Sequence, residues 1–552
     1  MRRRVRLAPL AIGLLTLAAV ASYSIEAQVL PGRLLRADAE PQNWLTYSGT
    51  YASHRYSQLT QIDPSNVGTL EVKWIWQAQS IHSFSATPLV VDGIMYVTQA
   101  PNDVVALDAR TGRTFWIYRH TPSSPRVCCR GLVNRGLAIL GDTLFMATVD
   151  AYLIAIDARN GEPLWKTKTA EPSEGYGMTL APLVVKDKVI VGPSGGEHGI
   201  RGFIDAYDAK TGKRAWRFDT IPSPGEPGND SWGNNSWEHG GAPAWLTGSY
   251  DPALNLIYWG TGNPGPDFNA SQRPGDNLYS DSVVALDADT GTLKWYFQFT
   301  PNDPYDYDAA QIPVLVDTTW NGVPRKLMYW ANRNGFFYAL DRETGEFLLG
   351  KPFAHVNWAS GLDATGRPIR TPQPADAPTY PGALGATNWY SPSYSPRTGL
   401  LYVPAWENYA AAFDDGEPVE FVPGRNFTGG FLPAPGTAPM PGMQRGPVNS
   451  WHEGNGRGLV VALDPKTGDR KWTFNMHDVN TSGILTTASD LLFVGGREGY
   501  FQSLDARTGA LLWRFTVGGE TAAGPIAYGV DGHQYVTVAA GHSLFAFGLR
   551  EP

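Results

Sequence analysis

Residues 301–308 read Pro-Asn-Asp-Pro-Tyr-Asp-Tyr-Asp and hold three aspartates in a short run. In an extended strand, side chains two apart face the same side, which would put Asp306 and Asp308 together. Paired carboxylates are oxygen donors suited to a hard cation, and the same run also makes a solvated acidic turn. A second reactive feature is the adjacent pair Cys128-Cys129, the only two cysteines of the chain. A bond between neighbours closes a minimal ring and adds almost nothing through loop closure, so such a bond would serve a functional surface. The alternative is two buried free thiols. No Cys-x-x-Cys-His occurs, so the sequence offers no attachment site for c-type haem.

The elements that must position these residues are announced by a repeated phrase, Ala-Leu-Asp-x-x-Thr-Gly-x-x-x-Trp. Copies start at Ala106, Ala155, Ala206, Ala285, Ala339, Ala462 and Ser503, with Asn160 replacing Thr in one and Leu349 replacing Trp in another. An alternating apolar segment, a turn closed by Gly and a second short segment ending on Trp make a β-hairpin signature. A large apolar plate at a fixed distance beyond the turn is expected to pack between neighbouring units. Spacings of about 40 to 55 residues match one four-stranded propeller blade per unit. Seven readable units, with a degenerate hairpin at residues 390–403 counted as one more, predict an all-β, eight-bladed β-propeller. The segments at 70–76 and 543–549 are expected to share a blade and close the ring, removing open sheet edges.

The chain has 552 residues and a net charge of −8, with no basic tract beyond the N-terminus, which argues against nucleic acid as a partner. Residues 1–21 combine a basic start, a short apolar run and Ala19-Val20-Ala21, the pattern of a secretory signal peptide. Residues 22–43 are expected to form a linker and 44–552 the propeller. The mature chain is expected in the periplasm without a membrane span.

Several blocks together carry a resemblance over nearly the whole mature chain. They are residues 86–93, Cys128-Cys129 with 133–136, 180–188, Ser194-Gly195-Gly196-Glu197 with Arg201-Gly202, 258–264, 273–277 and 332–341. In this order the set resembles the pyrroloquinoline quinone (PQQ) dependent alcohol dehydrogenases, the quinoprotein family of the methanol and ethanol dehydrogenases. The resemblance implies that Cys128 and Cys129 form a vicinal disulfide over one face of the quinone and that Trp245 stacks on the other. It implies PQQ contacts from Arg135, Thr179, Ser194, Gly195, Gly196, Arg333 and Asn388. It further implies metal ligation by Glu197, Asn263, Asp306 and Asp308, with Asp306 as the catalytic carboxylate.

An Asp two residues after the catalytic one is similar to the lanthanide-using members. Three carboxylates balance a trivalent ion better than a divalent one, so a lanthanide is favoured and calcium is the alternative. The implied activity is alcohol oxidation to an aldehyde or ketone by metal-assisted hydride transfer to PQQ. Asp306 takes the hydroxyl proton, and electrons leave to an external acceptor such as a periplasmic cytochrome c. A homodimer is compatible with the same resemblance.

Three positions depart from the family pattern: Ser85 replaces a Glu, Pro243 a Thr, and Thr481 a bulky ring near the quinone edge, which would leave room for alcohols larger than methanol. The Pro/Gly-rich stretch 404–456 is expected to be either a lid over the site or a loose insertion. Two other readings fit the repeats. An exported scaffold propeller needs no cofactor constellation and carries a lipidated N-terminal Cys, which this sequence lacks. Quinoproteins acting on a sugar or polyol have membrane spans ahead of the propeller.

Overall fold

The computed structural model describes residues 28–80, 82, 84–123, 132–374, 377–430 and 456–550. The signal-peptide region, Cys128 and Cys129 lie outside the described residues.

Eight sheets form the propeller. Blade 1 contains Leu89–Val91, Ile94–Gln99, Asp103–Asp108 and Thr114–Tyr118, ordered from the inside outward. The inner strands of blades 2 to 7 are Ala138–Leu140, Leu183–Val185, Ser249–Asp251, Val314–Trp320, Ser393–Ser395 and Ile484–Thr487. Blade 8 joins Ile526–Val530, His533–Ala540 and Ser543–Leu549 to Leu70–Gln77, the last from the other end of the chain. The ring therefore closes with eight blades as expected, and one correction concerns which segments make them up. The hairpin at 390–403 is not a unit of its own: its two strands pair with each other, the second also pairs with Arg457–Asp464 inside blade 6, and the composite blade 8 is the eighth. The long sequence separation between that hairpin and its partner strand hid the pairing.

The repeated phrase has a physical explanation at each position. In every copy the small first residue lies opposite the copy's own Trp or Leu349, as with Ala106 and Trp116, and the ladder slips by one residue immediately after it. The Asp closes the turn, as where Asp108 Oδ1 accepts from the Arg110 and Thr111 amides at 2.9 and 3.2 Å. The Trp then docks on the next blade's turn. Trp116 Nε1 donates to Ala158 O at 3.2 Å, and Trp74, Trp165, Trp216, Trp295 and Trp472 donate to the equivalent carbonyls.

The turn glycine is required twice over. Gly161 has φ +80°, and a Cβ on it would lie 2.6 Å from the Trp116 ring. Gly161→Ala is expected to cost about 2–3 kcal/mol from left-handed strain plus overpacking. Gly141→Ala, also at positive φ but with open space around it, should cost about 1 kcal/mol. Thermal midpoints of the two variants test this, and equal shifts would contradict the docking explanation.

Residues 28–43, expected as a linker, pack against blades 1 and 2. Val29 bridges to Gly141, Leu34 and Ala37 are buried, and Arg33 binds Glu40 and Asp92 at 2.7 and 2.8 Å. Apolar Val29, Leu34 and Ala37 alternate with charge, which suits a segment lying on a surface.

Residues 44–57 then cross the propeller axis and bond to inner strands on several sides. Tyr51 Oη donates to Val184 O at 2.8 Å, Ser53 Oγ pairs with Ser249 Oγ, and the Tyr394 amide donates to His54 O. Arg55, wholly buried, donates to the carbonyls of Tyr47, Ile484 and Pro525. This crossing segment plugs the channel from one end. No helix among the described residues is long and apolar enough to cross a membrane.

Candidate active site

The sequence-predicted residues occupy two kinds of position. Arg135, Thr179, Trp245, Asp306, Asp308 and Asn388 precede the inner strands of blades 2 to 6. Ser194, Gly195, Gly196, Glu197, Asn263 and Arg333 follow second strands. In an antiparallel blade the start of strand one and the end of strand two share a face. Residues spread over the sequence thus gather at one end of the propeller, and the Asp-Thr-Gly turns lie at the other.

On this face Arg135 lies between two indoles, its guanidinium carbon 4.9 Å from the Trp245 ring and 4.4 Å from the Trp389 ring. Burial pushes its pKa down to about 10, so it stays cationic at neutral pH. Its Nη1 donates to Thr179 O at 3.2 Å, while its buried Nε has no partner among the described residues. Ser85, one of the departures, is itself buried. Thr179 Oγ1 and Ser194 Oγ are 3.0 Å apart. Gly195 has φ +117°, and a Cβ there would meet Gly175 O at 2.1 Å, so only glycine fits. Asn388 reaches the face with one donor and its oxygen already engaged, by Leu384 O and the Trp389 amide, both at 2.9 Å.

Beside this slot lie the carboxylates. The strand expected over 301–308 is absent: the run is irregular, and Asp306 adopts φ +63°. Asp303 organises it, its carboxylate accepting from the Tyr305 and Tyr307 amides at 2.8 and 2.5 Å. The convergence survives by another route. Arg333 Nη2 binds Asp306 at 2.8 Å, Nη1 binds Asp308, and Ala383 O holds the guanidinium at 2.6 and 2.9 Å. Asp308 also accepts from the Asn263 amide at 2.8 Å. Burial raises the pKa of Asp306 well above the usual carboxylate range; Arg333 opposes this, and Asp308, Asp267 and Glu197 add to it.

Glu197 is exposed, in the short turn Gly196–His198. Among the described residues no three acidic, His or Cys side chains converge as a finished metal cage. Glu197, Asn263, Asp306 and Asp308 share a face, with two of the carboxylates held by Arg333 in an ion pair.

The donor set nevertheless fits a hard cation. It is all oxygen, its carboxylates outnumber its one guanidinium, and one nearby buried carboxylate oxygen, Asp267 Oδ1, has no partner among the described residues. The slot fits a planar polyanion equally well, since it joins two indoles to a buried cation with an unused donor.

The family profile described as glucose/ethanol/alcohol dehydrogenase, beta-propeller domain, matches residues 44–356, and one for the outer membrane protein assembly factor BamB matches 456–548. The quinoprotein alcohol dehydrogenase PedH of Pseudomonas putida is 36% identical over 565 residues, covering 96% of this chain and 91% of that protein. The chain belongs to the PQQ-dependent alcohol dehydrogenase family. A lanthanide-dependent methanol dehydrogenase of Methylacidiphilum fumariolicum is 37% identical, covering 92% of this chain and 86% of its own length. The structure of a europium-containing methanol dehydrogenase superposes with a TM-score of 0.85 at 33% identity, covering 94% of this chain and all of that one.

For a PQQ-dependent alcohol dehydrogenase, two features here were not read from the sequence, and a third was read only in outline. Trp389 forms the second wall of the Arg135 stack, and its place next to Asn388 was the available signal. Asp267 stands four residues past Asn263 in a Gly/Pro-rich turn. The stretch 404–456 resolves into parts: Leu400–Glu407 is a blade 6 strand, and residues up to 430 cap the Glu197 turn. There the Phe427 amide donates to Glu197 O at 2.7 Å, the Phe268 amide donates to Thr428 O at 2.8 Å, and Phe421 stacks on His239. Residues 431–455 lie outside the described residues. Of the departures, Pro243 packs tightly on Gly196 and Gly262, and Thr481 donates its hydroxyl to Thr521 O at 3.0 Å.

Proposed function

We propose that this alcohol dehydrogenase works in the periplasm, with PQQ in the Arg135–Trp245 slot and one hard cation, a lanthanide in preference to calcium, at the adjoining carboxylates. The observation that carries the reading is the Asp306–Arg333–Asp308 arrangement beside that slot on the open face of a plugged propeller. Bound there, PQQ supplies the two-electron acceptor and the cation supplies Lewis acidity. Asp306 acts as the general base that takes the alcohol's hydroxyl proton on a carboxylate oxygen, and Arg333 holds that carboxylate in place. Arg135, Thr179, Ser194, the Gly195-Gly196 turn and Asn388 bind and orient the cofactor's polar edge. Glu197, Asn263, Asp306 and Asp308 hold the cation. Residues 411–430 act as a lid over the cation side and limit water. Electrons leave to an external one-electron carrier such as a cytochrome c.

Thr481 in place of a ring leaves the pocket wide enough for alcohols larger than methanol. The experiment is dye-linked oxidation of a graded series by the reconstituted enzyme. Ethanol or a longer primary alcohol is expected to exceed methanol in kcat/KM by at least about tenfold. A preference for methanol would contradict the wide pocket.

A further inference from the structure

Asp267 has no role in the scheme above, yet it is only 2% exposed and its Oδ1 has no hydrogen-bond partner among the described residues. A buried carboxylate oxygen without a partner is expensive unless something binds it. Its loop is fixed from several sides. The Asp267 carbonyl accepts from Arg273 Nη2 at 2.9 Å, the Gly265 amide donates to Gly240 O at 2.8 Å, and the adjacent Phe268 is tied to the lid at Thr428. The side chain is therefore held where it is.

The charges that act on it most strongly are the Glu197 and Asp308 carboxylates, and Asp267 in turn acts on Asp306. Arg273 and the Asn263 amide offset part of this, but Arg273 also faces Asp303 and Asp281 behind the loop. At the face itself four carboxylates, Glu197, Asp267, Asp306 and Asp308, stand against Arg333. The carboxylates gathered here outnumber the guanidinium four to one.

We propose that Asp267 is a further carboxylate ligand of the cation site and that it biases the site towards trivalent ions. The inference rests on the cation reading given above. At equal distance a carboxylate attracts a trivalent ion about 1.5 times as strongly as a divalent one. An added carboxylate thus widens the gap between the two ions.

The test compares full-length, metal-stripped wild type and Asp267→Asn by calorimetric titration with lanthanum(III) and with calcium(II). Asp267→Asn is expected to weaken lanthanum binding by at least about tenfold and calcium binding by less. The metal-free variant is expected to melt at a higher temperature than metal-free wild type, because a buried like charge is gone, and to gain less from added lanthanum. A purely structural role for Asp267 would lower the metal-free melting temperature.

Unchanged lanthanum affinity, or equal losses for both ions, would overturn the proposal while leaving the cation reading intact. Wild type that binds neither ion would overturn both. Asp267→Ser serves if the Asn variant does not fold; failure of both to fold would make Asp267 a structural residue and end the proposal.

Discussion

Asp306→Asn is expected to lower kcat for alcohol oxidation on the order of a thousandfold, the scale of losing a positioned general base. The substitution keeps the shape and one acceptor oxygen for Arg333 Nη2, which now sits 2.8 Å from Asp306, so the fold and the cofactor slot should persist. What it removes is the capacity to take a proton. Burial and the neighbouring carboxylates already raise the proton affinity of Asp306, while Arg333 restrains it. Such a balance suits a carboxylate able to accept a proton during reaction. The check is steady-state kcat of the reconstituted variant alongside its PQQ content. Full PQQ content with a rate within about tenfold of wild type would remove Asp306 from the catalytic role.

The second large effect is expected from Asp308→Ala. Asp308 is 5% exposed and is shared between Arg333 and the Asn263 amide. Its loss subtracts a carboxylate from the cation site and leaves a buried amide without its acceptor, a cost of about 1–3 kcal/mol. Lanthanum-supported activity should fall on the order of a hundredfold, with calcium-supported activity reduced less. Activities of the variant reconstituted with each ion give the comparison. Lanthanum-dependent turnover equal to wild type would exclude Asp308 from the ligand set.

The propeller was legible because each structural need recurs in the sequence. A small residue must oppose the Trp, an Asp must close the turn, and a glycine must both adopt positive φ and receive the neighbouring indole. These are local rules, repeated seven times with little drift. The hairpin at 390–403 was misassigned because its partner, Arg457–Asp464, lies beyond a long insertion, and no local pattern encodes that pairing.

The site was legible chiefly through its resemblance to a family, and its geometry less so. Alternation placed Asp306 and Asp308 together by the rule for strands. They meet instead because the left-handed residue Asp306 turns the chain and Arg333 reaches both from blade 5. Trp389 and Asp267 went unread because their importance lies in what they face across blades, which neither period nor turn chemistry reports.

The measurement that bears most directly on the central claim is reconstitution of the metal-stripped protein with PQQ and either lanthanum or calcium, followed by dye-linked ethanol oxidation. The expected result is PQQ uptake and turnover that require a cation, with lanthanum supporting the higher rate. A protein that takes up no PQQ with either ion, and oxidises no alcohol, would contradict it.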